Sequence, residues 1–248
     1  MPTKKECLDH YPKIALDQLE RASRKNKDVM KKITTRLIAD VKKNRSLFVF
    51  GSGHSSILAL ELYHRAGGAS FVIPLVADFM MPHAGPPVVR VVERTPGSAN
   101  FLLDRGEVKK GEMVWIVSQS GINGAVVDFA IAAKKKGCFT VAFTSLVHSQ
   151  SVASRHPSGK KLYQVCDQTI DLCGVTGDAM VKIKEGLMAG PVSSLTSIYL
   201  AHAMITEAVE KLERGGIRCV YTSVNTPEGE KRNRDLEKKA AKRDPLLR

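Results

Sequence analysis

Runs of mostly apolar, β-favouring residues recur along the chain: SLFVF at 46–50, SFVIPLV at 70–76, EMVWIVS at 112–118, CFTVAFT at 138–144 and QTIDLC at 168–173, with a further run at 217–224. These runs are nearly continuous rather than alternating, the pattern of strands buried on both faces. Segments 54–66, 121–136 and 191–214 read as helices between or after them. The βαβ rhythm predicts an α/β fold, a doubly wound and mostly parallel sheet flanked by helices. Ahead of the first strand, Pro12 is placed to open a helix, and Val29, Ile33, Leu37 and Val41 repeat every four residues. The polar run SRKNKD at 23–28 is expected to split this segment into two helices, and the apolar stripe to pack on a partner subunit. The resulting division is a helical extension over 1–45, a main domain over 46–230 and a basic tail over 231–248.

In parallel sheets of this kind ligands bind beyond the carboxyl ends of the strands, so the informative residues follow each strand. Here they are GSGHSS (51–56), DFMMPHAGPP (78–87), SQSGING (118–124), TSLVHSQS (144–151) and CGVTGDA (173–179). A Gly/Ser-rich turn into a helix offers free amides and the positive end of the helix dipole, which suits an anion. In SQSGING, Ser118 and Ser120 flank Gln119, Gly121 permits a tight turn, and Asn123 adds a side-chain amide. Helix capping accounts for one such serine. The second set at Ser52, Ser55 and Ser56 favours phosphate. GSGHSS lacks the third glycine of a dinucleotide fingerprint, and neither GxxxxGK[ST] nor GxSxG occurs. A small phosphorylated molecule rich in hydroxyls, a phosphosugar, fits what is left. No cofactor is implied, and the absence of HxH, HExxH and CxxC spacings gives no reason to expect a metal.

The formal net charge of +13 over 248 residues suggests nucleic acid until it is mapped. Residues 1–45 carry +7 and 231–248 carry +5, which leaves +1 for 46–230. Basic ends around a neutral body read as solvated helix faces or a frayed tail rather than a nucleic-acid surface, and deletion of 235–248 is expected to leave ligand binding intact. No apolar stretch approaches the roughly 18 residues of a membrane span, and no secretory signal is readable. Five cysteines, an odd number without a CxxC pair, fit a reducing, cytoplasmic compartment.

FGSGHS after the first strand, SQSG after the third, the turn at Thr144 and Ser145, GPVSSLTS before the last long helix, and the strings LYHRAGG and CGVTGDA together resemble the sugar isomerase (SIS) domain family. The similarity spans nearly the whole chain and is strongest to a phosphosugar-binding branch related to phosphoheptose isomerase. The resemblance implies that Ser55, Ser118 and Ser120 hold phosphate, with Gly51, Gly53 and Gly121 shaping the turns; Ser52, Asn123 and Ser145 join them as candidates by their place in the strand-end turns. It further implies a homodimer with sites near the subunit interface. Phosphoheptose isomerases carry a catalytic glutamate at the position of Arg65 here; Glu61, one helical turn earlier, either substitutes as the base or serves only as the ion-pair partner of Arg65. A catalytic histidine is expected on the C-terminal helix, where His202 stands, and His54 and His83 complete the acid/base candidates. The implied function is aldose-ketose isomerisation of a sugar phosphate; the alternative is a non-catalytic phosphosugar sensor.

Overall fold

A computed structural model describes residues 7–248. Five strands, β1 (Leu47–Gly51), β2 (Val72–Leu75), β3 (Met113–Val117), β4 (Phe139–Thr144) and β5 (Gln168–Asp171), pair in parallel in the order β2-β1-β3-β4-β5. Helix α1 (Cys7–Lys42) precedes β1; α2 (Ile57–Leu62) follows it; α3 (Pro86–Arg94) and α4 (Phe101–Arg105) join β2 to β3. Helix α5 (Gly124–Lys135) crosses from β3 to β4, and α6 (Leu146–Ser151) and α7 (Leu162–Val165) link β4 to β5. An antiparallel hairpin of β6 (Ala179–Lys184) and β7 (Leu187–Pro191) then leads into α8 (Ser193–Arg214) and α9 (Pro227–Ala240).

The sheet is covered on both faces, which is why its strands read as continuous apolar runs. Leu47, Val49, Met113 and Trp115 pack with Ile33 and Leu37 of α1 and with Leu200 and Met204 of α8. Their neighbours Phe48, Phe50, Val114 and Ile116 turn the other way, onto Val126, Phe129 and Ala130 of α5. Ile33 and Leu37 are thus fully buried in the chain's own core, so the stripe expected to meet a partner is used internally. Among the described residues no helix is long and apolar enough to cross a membrane.

Helix α1 is continuous where two helices were expected. The polar run is held by β5, which ends the sheet: the Asn26 amide donates to the Asp171 carbonyl at 2.7 Å and accepts from the Asp171 N–H at 2.8 Å. A side chain thereby supplies both bonds that a further strand would have made, and Lys25 adds an ion pair to Asp171 at 2.6 Å. Gln18, also buried, donates to the Leu172 carbonyl at 3.0 Å.

Two further expectations change. The run at 217–224 forms no strand; Val220 makes an isolated bridge to Ala69, and Thr222 is bonded through its backbone to Asn233 of α9. The exposed β6–β7 hairpin was not anticipated, although Val181-Lys182-Ile183-Lys184 alternates ahead of Glu185-Gly186. The basic end of the chain is packed rather than frayed. Leu236 is buried, Tyr63 donates to Asp244 at 2.8 Å, the His64 ring meets Glu237 at 2.8 Å, and Arg243 pairs with the buried Glu112. Deleting 235–248 would strip these partners, so that deletion tests stability as much as binding.

Candidate functional site

The chain runs from β1 to β2 on one side and continues to β3 on the other. The loops after β1 and β3 therefore diverge, opening a crevice at the carboxyl ends of the strands. Gly51 ends β1 where a Cβ would run into the Ser55 carbonyl, so the loop closes tightly enough only with glycine. Ser55 is half-buried, and Ser56 Oγ donates to the Gly53 carbonyl at 2.7 Å. Ser52 is turned elsewhere: its hydroxyl donates to Glu93 Oε1 at 3.1 Å.

In the second loop, Ser118 is buried and its hydroxyl accepts the Gly121 N–H at 3.1 Å, which holds the turn. Gly121 takes a φ of 61°, and a Cβ there would lie 2.7 Å from Thr144 Oγ1. Ser120 stands half-buried with its hydroxyl outside any hydrogen bond among the described residues, and Asn123 Oδ1 accepts from Arg155 Nη1 at 2.8 Å. Ser145 is fully buried; it donates to the Gly174 carbonyl at 2.6 Å and caps α6 by accepting the His148 N–H at 3.1 Å. Ser55 and Ser120 keep their hydroxyls outside any hydrogen bond among the described residues, and Ser118, which only accepts, keeps its O–H to donate. Of the buried side-chain polar atoms without a partner among the described residues, four lie in the segments that follow β3 and β4: both amide ends of Gln119, and His148 Nδ1 and Ser149 Oγ of α6.

A cleft of ≈ 360 Å³ opens between these loops and α3. Gly53 and His54 line it from the first loop, Asn123 from the second, Arg155 from the segment after α6, and Val89, Arg90, Glu93 and Arg94 from α3. Glu93 was not among the expected site residues. A signal for it exists: Val89, Arg90, Glu93 and Arg94 follow helical spacing after the pair Pro86-Pro87, which is suited to opening a helix. Burial pushes the Glu93 carboxyl above the ordinary carboxylate range, partly offset by the Ser52 hydroxyl and the nearby His54, Arg155 and Arg94.

The four acid/base candidates divide. Glu61 of α2 and His202 of α8 meet, with His202 Nε2 3.1 Å from Glu61 Oε1, and Arg65 forms an ion pair with the same carboxylate. Burial pushes the His202 imidazole below its ordinary range and the Arg65 charge adds to this, which favours the neutral ring; a neutral ring facing an ionised carboxylate donates to it from Nε2. His202 lies in an open groove along α8 beside the exposed Leu195 and Tyr199. His54 is exposed at the cleft, apart from that pair. His83 is exposed on the turn Pro82–Ala84 and makes no side-chain hydrogen bond among the described residues. Burial raises the thiol of Cys138 to about 11 and those of Cys166 and Cys219 to about 12, which keeps them protonated and poor nucleophiles.

A parallel doubly wound sheet with serine-rich turns at its switch point places the molecule among α/β domains that bind ligands at strand ends. More particularly, the chain belongs to the SIS domain family, whose match covers residues 10–145. A UPF0309 protein of Shouchella clausii is 32% identical over 229 residues, covering 91% of this chain and 93% of that one. Phosphoheptose isomerase GmhA from Neisseria gonorrhoeae superposes with a TM-score of 0.52 at 12% identity, over 82% of this chain and 96% of that one. The Vibrio vulnificus NanR protein complexed with ManNAc-6P gives a TM-score of 0.50 at 16% identity, over 85% of this chain and 65% of that one. These two likenesses are of fold.

Proposed function

We propose that the protein is a sugar-phosphate isomerase that interconverts an aldose and a ketose by proton transfer. The observation that carries this reading is the contact between Glu61 and His202 at the end of the helix that starts from the first strand-end loop. A phosphate seated on Ser55, Ser120 and the free amides leading into α5 anchors the sugar at one end. Glu61 then takes the proton from C2, the hydroxyl proton on O2 passes to O1, and return of the carbon-bound proton to C1 completes the ketose. His202 orients the carboxylate, and Arg65 pairs with it. The unpartnered polar atoms of Gln119, His148 and Ser149 suit a ligand rich in hydroxyls. The groove with Leu195 and Tyr199 beside His202 suits a homodimer whose partner closes the acid/base end of the site.

The ion pair between Arg65 and Glu61 favours the second reading, a phosphosugar sensor, because a carboxylate engaged by a guanidinium is a weaker base. Solvent deuterium exchange into bound sugar phosphates separates the two. The isomerase washes deuterium into C2 or C1, and binding without any exchange leaves the sensor.

Ser120→Ala and Ser55→Ala test the anchor. Each loses a hydrogen bond to a charged group, roughly 1.5–3 kcal/mol, and is expected to weaken phosphosugar binding about ten- to a hundred-and-fiftyfold by calorimetry. Unchanged affinity in both would remove phosphate from these loops.

A further inference from the structure

We infer that the cleft between the first strand-end loop and α3 receives a second anionic group, so that the ligand is a sugar phosphate carrying a further phosphate or carboxylate. This rests on the phosphosugar reading and narrows its substrate class. Helix α3 presents Arg90 and Arg94, one turn apart, to the cleft. Arg155 faces them, held by its bond to Asn123 at 2.8 Å and by its backbone N–H on the Ile122 carbonyl at 2.9 Å. Among the described residues none of the three guanidiniums is in a salt bridge, and the partner of Arg155 is neutral.

The cleft thus gathers three guanidiniums against one carboxylate, while the whole of 46–230 carries +1. That carboxylate is turned aside: Glu93 bonds to Ser52 and lies where a Cβ on Gly53 would be 2.7 Å from its Oε1. It fills the Ser52 end, repels an anion there and leaves the arginine end as the favourable place. Planar guanidinium forks match phosphate and carboxylate oxygens in pairs. A phosphate on Ser55, Ser120 and the α5 amides does not need them.

The test titrates the full chain with hexose 6-phosphates, each beside its 1,6-bisphosphate and its aldonic acid 6-phosphate. At least one doubly anionic member is expected to bind about ten- to a hundredfold tighter than its parent. Arg90→Ala/Arg94→Ala is expected to abolish that gain and leave the parent's affinity within about threefold, since exposed charges away from a bound group contribute little. Both positions are exposed, and a melt without ligand checks folding; Arg90→Gln/Arg94→Gln repeats the test with less loss of packing. A gain with the bisphosphate identifies phosphate as the second group, and a gain with the aldonate identifies carboxylate; either supports the inference. Parents that bind with no gain from a second anion overturn it and leave the phosphosugar reading standing. Equal weakening of parent and doubly anionic ligands by the double variant also overturns it, because the arginines would then hold the first phosphate. No binding across the panel overturns both readings.

Discussion

Glu61→Gln is expected to lower isomerase turnover by roughly a hundredfold to ten-thousandfold while phosphosugar affinity stays within a few fold. The amide keeps the shape of the side chain and accepts the His202 N–H through its oxygen, but it cannot take a proton from C2. It also gives up the ion pair with Arg65, which is itself exposed and screened by solvent, so the fold is expected to tolerate the change. The measurement is solvent deuterium exchange into a bound sugar phosphate, wild type beside variant. Exchange that vanishes assigns the base to Glu61. Exchange that survives moves the base to His54, His83 or His202.

The second large effect lies far from the crevice. Glu112 has a side chain 3% exposed and accepts the Ser46 N–H at 3.2 Å and the Lys109 N–H at 2.7 Å; its charge is balanced by Arg243, itself mostly buried. Arg243→Ala leaves a buried carboxylate without its cation, an arrangement that typically costs about 3–5 kcal/mol. For a chain of this size that corresponds to a fall in melting temperature of about 6–20 °C. Urea denaturation of the variant reads the loss directly, and Arg243→Lys should recover part of it by restoring the charge. A loss below about 1 kcal/mol would mean that water reaches Glu112 and that the C-terminal segment adds little to the fold.

The same C-terminal segment shows the limit of compositional reading. Its lysines and arginines mark a solvated face, and they do face solvent along much of α9, but Leu236, Asn233 and Arg243 turn inward. The partners of Asn233 and Arg243 are Thr222 and Glu112, which no local pattern connects to them. SRKNKD in α1 misleads for a related reason. Polar residues in a helix suggest a break unless something buried needs their hydrogen bonds, and here the unpaired edge of β5 does.

Features that depend on local periodicity and turn geometry are legible in the chain alone. Continuous apolar runs specify strands buried on both faces and hence a parallel sheet, and the glycines and serines that end those strands mark the crevice. Which of the marked side chains are free depends on contacts made only on folding. Ser118 accepts an N–H of its own turn, Ser145 donates to the Gly174 carbonyl 29 residues on, and Ser52 donates to Glu93, 41 residues away. Folding also brings Glu61 to His202 across 141 residues, an encounter set by the packing of α2 on α8. Strand burial and tight turns are enforced by neighbours in the chain and so are legible there. The pairing of an acid, a base or a hydroxyl is enforced by whatever the folded core places opposite it, and neighbours in the chain do not encode that.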